Sequence, residues 1–184
     1  INEINEKMYQ KIVESREVDE EEARNTAKII ALSAIKYGDL SNQASKDYIF
    51  DIDRFIAFEG NTGPYILYTI VRMKSILKKY AAAGKCAEGK SILPAKTAEE
   101  KDLMLVLSRW NSVMENAFEE IAPHKICAYI YELANAFNRF YHGTKIMAEE
   151  DDTVQAGYTR LLELAKATLE TGIHILGFEA PEKM

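Results

Sequence analysis

With 184 residues and 47% apolar side chains, the chain can build one large domain, or a domain with a smaller attachment. Its 9 glycines, 4 prolines and short β-branched runs favour helices, and no apolar run approaches membrane-spanning length. A net charge of −6, taken whole, argues against a nucleic-acid partner. The amino-terminal INEINEKMYQ lacks a basic-then-apolar pattern, so no signal peptide is expected. A start at Ile1 rather than Met points to a fragment or a processed chain. A first helix is predicted over roughly 2–16. Asp19, with Glu22 three residues on, reads as a capping box for the next. That helix runs to about Lys36, with Ala23, Ala27, Ile30 and Ala34 as a close-packed face, and Gly38 is expected to end it. The stretch 37–50 is polar and irregular, and 51–58 reads as one or two helical turns.

Gly60–Gly63 forms a turn, and Pro64 suits the first position of a helix to about Tyr80. Gly84, Gly89 and Pro94 mark a loop over 84–96. Thr97 with Glu100 makes a second capping box, followed by one or two helices to Ile121. Pro123 opens a long helix to about 142. A last helix spans about 152–176 and stops at Gly177. The expectation is an all-α fold, an antiparallel helical bundle preceded by linking helices, with a boundary near Gly60–Gly63.

Charge is unevenly spread. Residues 1–63 hold 8 basic and 13 acidic side chains, and residues 97–184 hold 8 and 15. Between them, 64–96 holds 7 basic residues against the single acidic Glu88. Such a stretch can attract a polyanion despite the net sign. The helix from Pro64 buries Ile66, Ile70, Met73 and Leu77 at helical spacing. Tyr65, Tyr68 and Arg72 share the neighbouring stripe, where they either flank the core or form a stacking platform with a cation. In the Pro123 helix, Ile126, Ile130, Leu133, Phe137 and Phe140 form the core stripe. Cys127, Tyr131, Ala134, Asn138 and Tyr141 lie beside it. Tyrosine plus asparagine suits base stacking and edge reading, although neither face alone is specific.

Catalytic chemistry is hard to find. His124, His142 and His174 share no ligand spacing, so no metal site is expected. No phosphate loop or nucleophile elbow occurs, and Gly60–Gly63 is too short for a phosphate cradle. Glu149–Asp152 reads as an acidic run favoured by a helix N-terminus, and Asp51 with Asp53 as a solvated turn. Cys86 and Cys127 lack metal-type spacing and read as free thiols of a reducing cytosol.

Three stretches carry a family resemblance. YGDLSNQASKDYIFDIDRFIAFEGNTGPYILYTIVR resembles the segment after the signature lysine loop of arginyl-tRNA synthetases, with FEGNTGPY as its most specific turn. HKICAYIYELANAFNRFYH resembles the family's anticodon-binding helix, and LGFEAPEKM its C-terminus. The similarity covers essentially the whole chain. It implies that residues 1–62 link a catalytic domain to the anticodon domain and touch the inner elbow side of tRNA. Residues 63–184 would be the all-helical anticodon-binding domain. The family's two ATP-binding motifs, the HIGH and KMSK types, are absent, as is the domain that reads the D-loop. The chain resembles the C-terminal piece of a cytoplasmic ligase and is expected to be inactive alone, with no cofactor of its own. The full-length enzyme would use ATP with magnesium. Lys183 stands where the family usually has arginine, and Gly38 where alanine is common.

By this resemblance, Tyr65, Tyr68 and Arg72 grip the anticodon loop, and Tyr141 with Met184 completes the pocket. Asn138, beside Tyr141, joins the candidate site. Lys74, Lys78 and Lys79 are expected to hold phosphates. The central anticodon base, a cytosine, would be the chief one read. The implied partners are a tRNA specific for arginine and the catalytic domain of the same chain, with neither membrane nor DNA. Two other readings remain open: a helical scaffold that only packs on proteins, and the related domain of cysteinyl-tRNA synthetase.

Overall fold

A computed structural model describes residues 1–15 and 17–184. Among them lie eight α-helices, one short 3-10 turn and no strand. Helix α1 (Asn2–Ser15) packs Ile4, Met8 and Ile12 against α2. The predicted last residue of α1, Arg16, lies outside the described residues. Helix α2 spans Glu20–Leu40 and buries the predicted face, Ala23, Ala27, Ile30 and Ala34. Its cap is Asp19, whose Oδ2 accepts from the Glu21 and Glu22 amides at 3.0 and 3.3 Å.

Gly38 does not end α2, as the sequence suggests; the helix runs on to Leu40. Its role is close approach. A Cβ there would sit 2.5 Å from Cδ2 and 2.9 Å from Cζ of Phe55. The missing side chain lets that ring lie on the α2 backbone. Phe55 belongs to α3 (Ile52–Phe55), a single turn capped by Asp51. Asp53 pairs with Lys7 of α1 at 3.2 Å, so Asp51 caps its own turn and Asp53 ties that turn to α1.

Helix α4 spans Gly63–Ala82. Thr62 caps it, accepting from the Tyr65 amide at 3.3 Å while donating to the Ala57 carbonyl at 2.6 Å. The region 97–121 resolves into α5 (Ala98–Ser108) and α6 (Trp110–Glu119), broken at Arg109. Thr97 caps α5, but Glu100 reaches back to the amide of Lys96, one residue beyond the cap. Helix α7 spans Pro123–Gly143, and α8 spans Asp152–Ile175. Asp151 caps α8, and the following Gly177 takes φ +82°.

Helix α2 packs on α4 and α7, and α8 packs on both of those. One hydrophobic cluster runs from Ile4 in α1 to Phe178 beyond α8. The core is therefore continuous across the expected boundary at 62/63. A polar link crosses it too. The Tyr37 hydroxyl of α2 lies 2.9 Å from the Cys127 carbonyl of α7 and 2.5 Å from Asn61 Oδ1.

The two thiols differ sharply. Cys127 is buried, and burial pushes its thiol up to about 12, whereas Cys86 is exposed in the loop before α5. Thiolate is the reactive form. A maleimide at neutral pH should therefore label one thiol per folded chain, mapping to Cys86, and a second only in denaturant. Equal labelling of both thiols in the native protein would show that α7 is not packed as described.

Candidate nucleic-acid interface

Helices α4 and α7 lie in contact, and their paired stripes meet. Tyr65 and Arg72 of α4 and Asn138 and Tyr141 of α7 are half-buried, while Tyr68 is 42% exposed. The Arg72 guanidinium carbon sits 4.8 Å from the Tyr68 ring centre and 5.5 Å from that of Tyr141. One cation thus bridges two aromatic faces from different helices. Tyr141 is itself stacked on the buried Phe137, with ring centres 5.9 Å apart, which fixes its orientation.

A directed hydrogen-bond chain holds the cluster. Arg72 Nη1 donates to Asn138 Oδ1 at 2.7 Å. That fixes the amide orientation, so Asn138 Nδ2 donates to the Tyr65 hydroxyl at 2.9 Å. Tyr65 in turn donates to Asn135 Oδ1 at 2.7 Å. The guanidinium has no acceptor to offer and the amide has one of each group, so the chain has one consistent direction. Asn138 spends a donor and an acceptor inside the protein. Its clearest role is to orient Arg72.

Met184 is half-buried at the end of the irregular tail. With Val71, Lys74, Ser75 and Lys78 it lines a groove of about 430 Å³ along α4. Lys78 and Lys79 are exposed at the end of α4. Lys74 is not: its ammonium contacts the carbonyls of Ala180 and Pro181 at 3.3 Å each and Glu182 Oε1 at 2.6 Å. Lys85, also in the basic stretch, pairs with Asp152 at 2.7 Å and Gln155 at 2.6 Å. Two of the six lysines of 64–96 are thereby committed to internal contacts, as Arg72 is to Asn138.

Sequence reasoning missed Asn135 and Thr69. Asn135 is one turn before Asn138 and accepts from Tyr65. Thr69 is fully buried in α4 with its hydroxyl 3.4 Å from Asn138 Nδ2. A polar residue at a core position of α4 was the available signal for Thr69. The fit of Lys74 to the tail carried no such signal, because two of its three acceptors are main-chain carbonyls and the third, Glu182, lies 108 positions away.

A helical bundle with an aromatic–cationic face flanked by exposed lysines has the chemistry on which unpaired bases can stack. A family model described as DALR anticodon binding domain matches residues 66–184, and the chain belongs to that family. The chain is 59% identical to an arginine–tRNA ligase of Agathobacter rectalis, matching all of this chain and 32% of that protein. It is 50% identical to the arginine–tRNA ligase of Alkaliphilus oremlandii, over 98% of this chain and 31% of the relative. The arginyl-tRNA synthetase of Thermus thermophilus superposes with a TM-score of 0.84 at 31% identity, covering all of this chain and 32% of that one. The Plasmodium falciparum arginyl-tRNA synthetase superposes at 0.86 with 25% identity. The chain spans about a third of the length of these relatives. Neither the scaffold reading nor the cysteinyl-tRNA synthetase reading is favoured by these likenesses.

Proposed function

We propose that this chain is the tRNA-binding part of an arginine–tRNA ligase, gripping the anticodon loop while a catalytic domain elsewhere in the longer protein attaches arginine. The observation that carries this reading is the Tyr68–Arg72–Tyr141 cluster, set inside a domain of the DALR family. Splayed bases stack on Tyr68 and Tyr141, each stack contributing about 1–3 kcal/mol. A base that enters between the rings takes the place of the guanidinium on one of them. Arg72, kept in reach by Asn138, then faces the base or its phosphate. The central base is a cytosine, and Met184 borders its pocket. Lys78 and Lys79 neutralise flanking phosphates, contacts that position the loop without reading it.

ATP and magnesium serve the longer protein in the cytoplasm, and no step of their chemistry is assigned to these residues. The Gly60–Gly63 turn does not fit a triphosphate. Gly63 is pressed against the Ser33 backbone, and the Thr62 hydroxyl is committed to Ala57 and Tyr65. Among the described residues no helix is long and apolar enough to cross a membrane.

The test is equilibrium binding of an arginine-accepting tRNA against an unrelated tRNA at two salt concentrations. The proposal expects preference for the first at both salts, and no arginine-dependent ATP–pyrophosphate exchange by this chain alone. Equal binding of both tRNAs, falling together with salt, would reduce the chain to a nonspecific polyanion binder.

A further inference from the structure

Beyond α8 the chain has no regular structure, yet it is not loose. Leu176, Phe178 and Pro181 are buried. Two lysines from distant helices fasten its main chain. Lys36 of α2 donates to the Gly177 carbonyl at 2.5 Å. Lys74 of α4 donates to Ala180, Pro181 and Glu182. An ammonium has three donors, and the structure supplies three acceptors. The Lys74 side chain is 18% exposed, and Glu170 lies 3.8 Å away as a further anion. No donor remains for a phosphate. Beyond the clasp, Met184 lies in the groove with Val71, Ser75 and Lys78. On a helix, Val71 and Ser75 follow Tyr68 and Arg72 by three positions, so that groove borders the stacking stripe.

We propose that Lys74 is a positioning residue of the tRNA site: it clasps the tail so that Met184 is already seated beside Tyr68 and Arg72 before tRNA arrives. This rests on the reading of the chain as a tRNA-binding domain. An ordered tail spares binding the cost of immobilising it, a cost of about 0.5–1.5 kcal/mol per ordered side chain. Release of the clasp should therefore weaken binding by roughly two- to twelvefold. Glu182, whose carboxylate Lys74 holds below its usual range, is the exposed half of the same clasp.

The experiment compares Lys74→Met, Lys74→Arg, Met184→Ala and the Lys74→Met/Met184→Ala double variant in the full chain. Lys78→Met and Tyr141→Ala are controls. Two readouts are used: arginine-accepting tRNA binding across a salt series, and the rate of protease cleavage in the tail. The clasp predicts that Lys74→Met speeds tail cleavage and weakens binding without changing the salt slope. The double variant should bind no worse than Met184→Ala, and Lys74→Arg should recover part of the loss. If Lys74→Met does not fold, Glu182→Ala, at an exposed position, should show the same pattern more weakly. A flattened salt slope like that of Lys78→Met, with losses additive to Met184→Ala, makes Lys74 a phosphate ligand and overturns the proposal. Unchanged cleavage overturns it too. So does normal binding by Met184→Ala while Tyr141→Ala binds poorly, although the tRNA reading then stands. Normal binding by Tyr141→Ala removes the tRNA reading, and the clasp's purpose with it.

Discussion

Tyr68→Ala is expected to weaken binding of the arginine-accepting tRNA by about 1–3 kcal/mol while leaving the thermal melt nearly unchanged. The ring is 42% exposed, so its removal opens no cavity in the core. It also frees one face of Arg72, whose guanidinium sits 4.8 Å from the ring centre. Tyr141→Ala should cost binding by a similar amount. Because Tyr141 stacks on the buried Phe137, it should also lower the melt somewhat. The two tyrosines share one cation, so their losses should not add: the double variant should fall short of the summed effects. Lys79→Ala separates charge from stacking. Neutralising one phosphate on a single strand contributes about −0.7 to the slope of log K against log salt. Its loss should flatten that slope by a fraction of a unit and weaken all tRNAs about equally. Tyr141→Ala should instead reduce discrimination against an altered central anticodon base at constant slope. A Tyr68 variant that binds normally, or one that unfolds, would return both tyrosines to the status of core flankers.

Helix existence and most boundaries were legible because caps and periodicity act locally. Asp19 and Thr97, read as caps, accept amide bonds from the first turn they precede; Thr62 and Asp151, read only as a turn residue and part of an acidic run, do the same. The two site stripes were legible for the same reason, since Tyr65, Tyr68 and Arg72 fall off the buried face by helical spacing alone. That α4 meets α7 there, so that Arg72 reaches Tyr141, is tertiary and came into the sequence reading only through resemblance. Gly38 shows the limit of local rules. Glycine near a helix end reads as a stop, but the ring of Phe55, seventeen positions on, is what requires it. Lys74 shows another. Within a basic stretch it reads as a surface cation, and only the path of the tail reveals its three acceptors.

Gly63→Ala is expected to destabilise the protein by about 1–3 kcal/mol, the usual cost of forcing extra volume into a tight contact. Propensity alone argues the other way. Alanine is preferred to glycine in helices by up to about 1 kcal/mol, and Gly63 opens α4 without needing a positive φ. Packing decides. A Cβ at Gly63 would lie 2.6 Å from the Ser33 carbonyl carbon and 3.1 Å from the Ala34 nitrogen. Both are backbone atoms inside α2, so no rotamer change can make room and α4 must move off α2. That movement strains the Thr62 cap, which bonds Tyr65 and Ala57 on either side of the turn. It also pulls at Asn61, against which the Tyr37 hydroxyl rests. For a chain of this size, 1 kcal/mol corresponds to about 2–4 °C in Tm. Gly143→Ala provides the control, because a Cβ there meets nothing within 4 Å. Thermal melts of the two variants should therefore diverge, Gly143→Ala staying at or slightly above the parent while Gly63→Ala drops by several degrees. A Gly63→Ala protein that melts with the parent would mean that α2 and α4 can part at no cost, and that the glycine of the FEGNTGPY turn is not there for close approach.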